Sequence, residues 1–99
     1  MPFTYRFSWD PAKAASNQAK HGISFEIAAT VMHDPLALSR YDVEHSEEEE
    51  RWVTLGSSNT GALLVVVHTF AETSATEAHV RLISAREATP NERRQYEGR

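Results

Sequence analysis

The most constraining feature of this 99-residue sequence is an unbroken apolar run, Leu63-Leu64-Val65-Val66-Val67. The run does not alternate between apolar and polar side chains, as a strand with one solvated face would. Both of its faces must therefore be covered by other parts of the chain. We predict a central strand of a β-sheet here, buried on both sides.

Several other segments have the composition and patterning of strands. The most regular is the first, in which polar and aromatic residues alternate, as in a half-buried strand. Asn59-Thr60-Gly61 is typical of a turn between two strands, and residues 72–77 indicate a polar hairpin loop. The predicted strands span residues 4–9, 36–41, 51–57, 62–70 and 78–85.

Two helices are predicted between the first two strands. Asp10-Pro11 is a strong helix start, because aspartate caps the first turn and proline fits the first helical position. This helix should run to about His21 and stop at Gly22, which can take the left-handed conformation. Ser24 caps a second helix over residues 25–33.

A third helix should begin at Thr89-Pro90-Asn91-Glu92, which is a complete capping box with proline at the first helical position. Helices and strands thus occupy separate stretches of the chain. This order predicts one α+β domain over residues 1–99, with a small antiparallel sheet of three to five strands. We expect the helices, two N-terminal and one C-terminal, to pack on one face of that sheet.

The net charge of −4 at first argues against a nucleic-acid partner, but the charge is unevenly distributed. Residues 34–50 carry −6, including the run Glu47 to Glu50, so the rest of the chain sums to +2. Such an acidic block is usually a solvated loop and less often an interaction surface. The body of the protein can therefore still bind an anion.

Several classes of protein are disfavoured by what the sequence lacks. There is no cysteine, so disulfides and thiolate chemistry are excluded and the cytosol is the expected compartment. The N terminus has no signal-peptide pattern, and no apolar run is long enough to span a membrane. The five histidines follow no metal-site spacing, and phosphate-binding glycine loops and nucleophile elbows are missing. We expect neither a metal nor another cofactor.

Lys20-His21-Gly22 is the first candidate site, at the end of the first helix. Lysine and histidine are favoured at a helix C terminus by the helix dipole, so the motif has a purely structural interpretation. The functional interpretation is that His21 acts as a general acid or base, since imidazole changes charge near neutral pH, while Lys20 holds a phosphate. Lys13 lies on the same helical stripe and would contact the same ligand.

Arg81 and Arg86 form the second candidate cluster. Arg81 lies within an apolar strand, so its charge needs either a partner or a cleft. One interpretation is a salt bridge to the neighbourhood of Glu50, and the other is a clamp for phosphate, which guanidinium groups bind bidentately. On a straight strand the two arginines point to opposite faces. They can serve one site only if the strand ends or bulges near Ala85.

Four other residues have alternative interpretations. His68 closes the buried strand, where a core histidine is more common than a catalytic one. Arg51 begins a predicted strand. It either lies near Arg81 in the site or has only a structural role. Arg93 and Tyr96 lie on the polar last helix, which could stack on RNA, cover a partner or be solvated.

The chain resembles the BrnT toxin family over nearly its whole length, and the combination of motifs is specific although each is weak alone. The N-terminal pattern is Phe7-x-Trp9-Asp10-x-x-Lys13-x-x-x-Asn17-x-x-Lys20-His21-Gly22-x-Ser24-Phe25-x-x-Ala28. The later segments are Glu50-Arg51-Trp52 with Gly56, Val66-Val67-His68-Thr69, and Arg81-x-Ile83-Ser84-Ala85-Arg86-x-Ala88-Thr89 with Glu92-Arg93 and Tyr96. The run Glu47 to Glu50 is more acidic than the family pattern.

This resemblance implies a RelE-like fold and a ribonuclease toxin of a type II toxin–antitoxin system. It also implies neutralisation by a ribbon-helix-helix antitoxin, BrnA, whose complex with the toxin binds operator DNA and represses the operon. RNA is then the substrate and no membrane is involved. The active-site candidates are Lys20, His21, Arg51, Arg81 and Arg86.

Metal-free RNA cleavage needs a base for the 2′-hydroxyl, cations for the transition state and an acid for the leaving 5′-oxygen. His21 or a deprotonated Glu50 can be the base. The lysine and arginines would stabilise the developing charge. The alternative is a non-catalytic RelE-like module that binds its antitoxin and acts only as a co-repressor, in which the Glu47–Glu50 block covers the arginines.

Overall fold

A six-stranded sheet forms the centre of the molecule. The structure is a computed structural model and describes residues 4–46 and 49–98. The strands are β1 (Thr4–Ser8), β2 (Leu38–Tyr41), β3 (Trp52–Ser57), β4 (Leu63–His68), β5 (Ala71–Glu72) and β6 (Glu77–Glu87). The helices are α1 (Pro11–His21), α2 (Phe25–Ala29) and α3 (Pro90–Glu97), with 3-10 turns at Thr30–His33 and Val43–His45.

The apolar run predicted as a central strand is β4, in the middle of the order β1-β6-β4-β3-β2. Leu64 and Val66 point into one buried cluster, and Leu63 and Val65 point into another on the opposite face. The prediction of a strand buried on both sides is confirmed.

The sheet is mixed and has six strands, so the prediction of an antiparallel sheet of three to five strands is wrong. The additional strand is the two-residue β5, which is too short to have a strand pattern in the sequence. β1 runs parallel to β6, with Tyr5 beside Ala78 and Phe7 beside Val80, while the other pairings are antiparallel. Antiparallel pairing is required only where a short hairpin joins two strands, and β1 is separated from β6 by most of the chain. The first strand is therefore free to join the edge of the sheet in either direction.

The two faces of the sheet are covered by different helices. Phe25 and Ala28 of α2 pack into the cluster that contains Leu64 and Val66, and α1 lies against β6 on this side. Tyr96 of α3 packs instead with the opposite cluster around Val65. The prediction that all helices share one face is wrong for α3, because a helix with a single large apolar residue does not reveal which face it covers.

The predicted helix boundaries agree closely with the structure. The Asp10 side chain accepts a hydrogen bond from the Ala12 amide, and Gly22 ends α1 with a φ of 72°. Thr89 and Glu92 form both hydrogen bonds of the capping box. The predicted helix over residues 25–33 is α-helical only to residue 29 and then tightens into a 3-10 turn. No helix in the described ranges combines the length and apolar character needed to cross a membrane.

Candidate active site

A β-bulge in β6 decides where its two arginines point. Val67 is opposite Ser84 and His68 is opposite Leu82, which leaves Ile83 as an extra residue. Leu82 and Ala85 consequently face the same core cluster, although residues three positions apart point to opposite faces of a regular strand.

Because the bulge reverses the alternation, Arg81 and Arg86 share the sheet face opposite that cluster. A shared face is the condition for Arg81 and Arg86 to serve one site. The arginines remain about 16 Å apart along the strand, at roughly 3.3 Å per residue. They share a face but each binds a different carboxylate.

Arg81 binds Glu49, and Arg51, the residue before β3, approaches the same carboxylate. The Arg81 guanidinium donates a hydrogen bond from Nη2 to Oε1 of Glu49, and the Nη2 of Arg51 lies 3.8 Å from the same oxygen. Arg51 and Arg81, called here the arginine pair, flank the end of β4 and converge on one carboxylate oxygen. The expected salt bridge of Arg81 to the Glu50 neighbourhood is thus made by Glu49.

Three cationic side chains act on the carboxylate of Glu49. The hydrogen bond from Arg81 holds the pKa of Glu49 below its ordinary value, and the charges of Arg81, Arg51 and Lys13 lower it further. Lys13, which contributes the smallest of these effects, lies in the first turn of α1. The neighbouring Glu47 and Glu48 lie outside the described residues.

Arg86 is engaged by α3. Its two terminal nitrogens donate to the two carboxylate oxygens of Glu92 at 2.8 and 2.9 Å. This bidentate hydrogen bonding, helped by the amide of Thr89, lowers the pKa of Glu92 to about 2. Arg86 therefore fixes the start of α3 against β6, and its guanidinium is partly occupied before any ligand binds.

We expect Glu92→Gln to destabilise the protein at pH 7 by about 1 kcal/mol, because glutamine keeps the capping hydrogen bond but loses the ion pair, and the carboxylate is 26% exposed. A carboxylate with a lowered pKa stabilises the folded state above its unfolded pKa, and this stabilisation is lost as pH falls toward 2. Urea denaturation at several pH values should show that the difference in the free energy of unfolding between the variant and the wild type decreases below about pH 4.5.

The matched control is Glu97→Gln, since Glu97 makes a longer, more exposed ion pair with Arg93 on the same helix. It should change stability by less than about 0.5 kcal/mol at every pH. A Glu92→Gln deficit that does not vary with pH would contradict the assigned ion pair.

Asn17 connects α1 to the bulged part of β6. Its side-chain amide donates to the carbonyl of Ala85 and accepts from the Ala85 amide, at 2.9 and 3.0 Å, and also donates to the Ile23 carbonyl. β1 pairs with β6 only as far as Arg81, so Asn17 completes the hydrogen bonding of the open edge beyond it. An asparagine among the alanines of a predicted helix is the sequence signal that could have revealed this role.

Lys20 and His21 lie in the last turn of α1, one turn beyond Asn17. Both side chains are exposed, and neither makes a hydrogen bond or ion pair within the described part of the chain. Lys13, whose charge acts on Glu49, is at the other end of α1, so Lys20 and His21 lie roughly 10 Å further along the helix, at about 1.5 Å per residue.

His68, Tyr96 and Arg93 make contacts within the fold. His68 is 3% exposed, and its nitrogens bond to the Thr54 hydroxyl and the Thr69 carbonyl, while burial lowers its pKa. The Tyr96 hydroxyl donates to a carboxylate oxygen at 2.6 Å and anchors α3. Arg93 pairs with its own helix. These contacts favour the structural interpretation of His68 and Tyr96.

His79 has no sequence motif that marks it as a site residue, yet it lies two residues before Arg81 on the same face of β6. It is exposed, and its Nε2 is 2.8 Å from the hydroxyl of Ser8. The exposed Glu50 makes no hydrogen bond or ion pair with residues 4–46 or 49–98. No sequence pattern distinguishes Glu49 from Glu50, since only the fold determines which carboxylate reaches the arginines.

Comparison with known proteins shows the family to which the chain belongs. Residues 9–92 match the family model described as "Ribonuclease toxin, BrnT, of type II toxin-antitoxin system". The chain belongs to the BrnT family. No curated sequence matches it significantly. The crystal structure of the BrnT ribonuclease toxin of Brucella abortus has a similar fold, with a TM-score of 0.52 and 22% identity, over 87% of this chain and 99% of that one.

Membership of the BrnT family determines the general class of the protein. The family consists of ribonuclease toxins of type II toxin–antitoxin systems, which implies an antitoxin as partner. The resemblance identified from the sequence motifs is confirmed. The predicted α+β class is also supported, with a mixed sheet and three helices in the described residues.

Proposed function

We propose that this protein is a metal-independent endoribonuclease toxin that cleaves RNA by attack of the 2′-hydroxyl on the adjacent phosphate. The observation that carries the proposal is the convergence of Arg51 and Arg81 on one anionic oxygen of Glu49. Two guanidinium groups that already share an anion are suited to share a phosphate. The family description supports RNA as the source of that phosphate.

The arginine pair would stabilise the transition state, in which negative charge accumulates on the non-bridging phosphate oxygens. One preorganised donor of this kind is typically worth about 2.7–4 kcal/mol. Lys13 adds positive potential near Glu49. Arg86 would hold a neighbouring phosphate or position α3, since Glu92 already binds its guanidinium.

Proton transfer requires a second set of groups, a base for the 2′-hydroxyl and an acid for the 5′-oxygen. His21, with Lys20 beside it, and Glu50 remain the candidates from the sequence. His79 is an additional one, because it shares a sheet face with Arg81 and is exposed. Glu49 is a poor base, since its lowered pKa weakens its hold on a proton. We propose His79 as the imidazole nearest the scissile phosphate.

We also propose the cellular role implied by the resemblance. A BrnA-like ribbon-helix-helix antitoxin neutralises the protein in the cytoplasm, and the complex represses its operon by binding operator DNA through the antitoxin. Arg93 and Tyr96 belong to the helix α3, and Arg93 is exposed enough to contact RNA or the antitoxin.

One observation favours the rival function, a non-catalytic co-repressor. Glu49 lies on the arginine pair, as expected if the acidic block covers the arginines. Incubation of the purified protein with RNA in EDTA separates the two functions. We expect cleavage by the wild-type protein, whereas a co-repressor would leave the RNA intact at any protein concentration.

A further inference from the structure

We propose that the arginine pair is a phosphate subsite whose occupant in the free protein is the carboxylate of Glu49, which a backbone phosphate of RNA must displace. This inference rests on the proposed function for the identity of the ligand. The subsite itself rests on the contacts of Arg51, Arg81 and Glu49 alone. Glu49 is then an intramolecular competitor of the substrate.

The hydrogen bonding of the arginine pair is incomplete. Both guanidinium groups approach the same oxygen, Oε1 of Glu49, and Arg51 is 3.8 Å from it, beyond hydrogen-bond distance. The Nε of Arg51 is buried and has no hydrogen-bond partner in the described residues. A buried donor without a partner is unfavourable, so a ligand that supplies this nitrogen with an acceptor would be favoured.

A phosphate satisfies these donors better than a carboxylate does. It offers several acceptor oxygens in a tetrahedral arrangement, so each arginine can bind its own oxygen instead of sharing one. The Glu49 carboxylate presents the same oxygen to both arginines. The unpaired Nε of Arg51 therefore suggests a ligand with more acceptors than Glu49 supplies.

The contact with Glu49 is also weak enough to exchange. The side chains of Glu49 and Arg81 are 40% and 34% exposed, and exposed ion pairs contribute little to stability. The backbone of Arg51 is held independently of Glu49, because the amide of Asp42 donates to the carbonyl of Arg51 and the amide of Arg51 donates to the hydroxyl of Ser46. The Glu49 side chain can leave the arginines while the start of β3 keeps its position.

The test compares Glu49→Gln with Glu44→Gln, which removes the same charge from an exposed residue of the same acidic segment. The probe is a fluorescent 2′-O-methyl oligonucleotide, which cannot be cleaved by 2′-hydroxyl attack, followed by anisotropy at fixed salt. We expect Glu49→Gln to lower the Kd about five- to tenfold and Glu44→Gln to change it by at most about twofold. Combination with Arg81→Ala should abolish the gain.

Equal Kd values for the two glutamine variants would overturn the proposal, since net charge alone would then explain the effect. It would also be overturned if Glu49→Gln bound more weakly than the wild type, because Glu49 would then support binding. If no variant cleaves RNA but Glu49→Gln still binds selectively more tightly through Arg81, the subsite stands and only the proposed ribonuclease function fails.

Discussion

Replacing Arg81 with alanine is expected to lower the rate of RNA cleavage by about two to three orders of magnitude, the usual effect of losing one transition-state donor. The protein should remain folded, because Arg81 is partly exposed and its ion pair with Glu49 contributes little to stability. Single-turnover cleavage measures the chemical step directly. Arg81→Lys should retain part of the rate, since lysine keeps the charge but loses the planar arrangement of donors.

Arg94→Ala is the matched control, because it removes an arginine charge from the exposed outer part of α3. Its cleavage rate should stay within about threefold of the wild type, as expected for a change in net charge alone. An Arg81→Ala variant that cleaves RNA at the control rate would remove Arg81 from the active site.

Replacing Asn17 with leucine is expected to destabilise the fold by about 3 kcal/mol or more. The change leaves the amide and carbonyl of Ala85 and the carbonyl of Ile23 without their partner, and each unsatisfied buried group costs about 1–3 kcal/mol. For a chain of this size, the melting temperature should fall by more than about 10 °C. Thermal and urea denaturation followed by circular dichroism measure the loss.

Gln18→Leu introduces the same leucine one position later, on the exposed side of α1. It should change the free energy of unfolding by no more than about 0.5 kcal/mol. Comparable stability of the two leucine variants would mean that the hydrogen bonds of Asn17 do not hold α1 to β6.

The local elements were predictable because their signals are short-range. The caps at Asp10 and Thr89 and the stop at Gly22 follow from neighbouring residues, and the structure has all three. The burial of β4 was predictable from its composition for the same reason. In each case, the physical cause lies within a few residues of the effect.

The arrangement of elements was less predictable, because it depends on residues distant in sequence. The parallel pairing of β1 follows from its place beside β6, which no local signal indicates. The face chosen by α3 depends on contacts of Tyr96 with β3 and β4. A single tyrosine in a polar helix predicts that the helix docks but not where.

The cationic residues of the candidate site were predictable from the sequence, but their arrangement in space was not. A strand bulge was identified as the condition for Arg81 and Arg86 to share a face, and the register shift at Val67 and His68 provides it. The sequence predicts the Glu50 neighbourhood as a partner of Arg81, but it does not indicate which of four consecutive glutamates binds. It does not indicate that Glu92, which belongs to a capping box, binds Arg86. Ion pairs between distant segments have no local sequence signal.

The chemistry of the RNA ends produced by the purified protein in EDTA tests the central claim most directly. Wild-type protein should generate 2′,3′-cyclic phosphate and 5′-hydroxyl ends, because the 2′-oxygen attacks the phosphate and the 5′-oxygen leaves. Arg81→Ala protein purified in the same way should generate almost none, which excludes a contaminating nuclease. Cleavage to 3′-hydroxyl and 5′-phosphate ends, or intact RNA with the wild-type protein, would contradict the account.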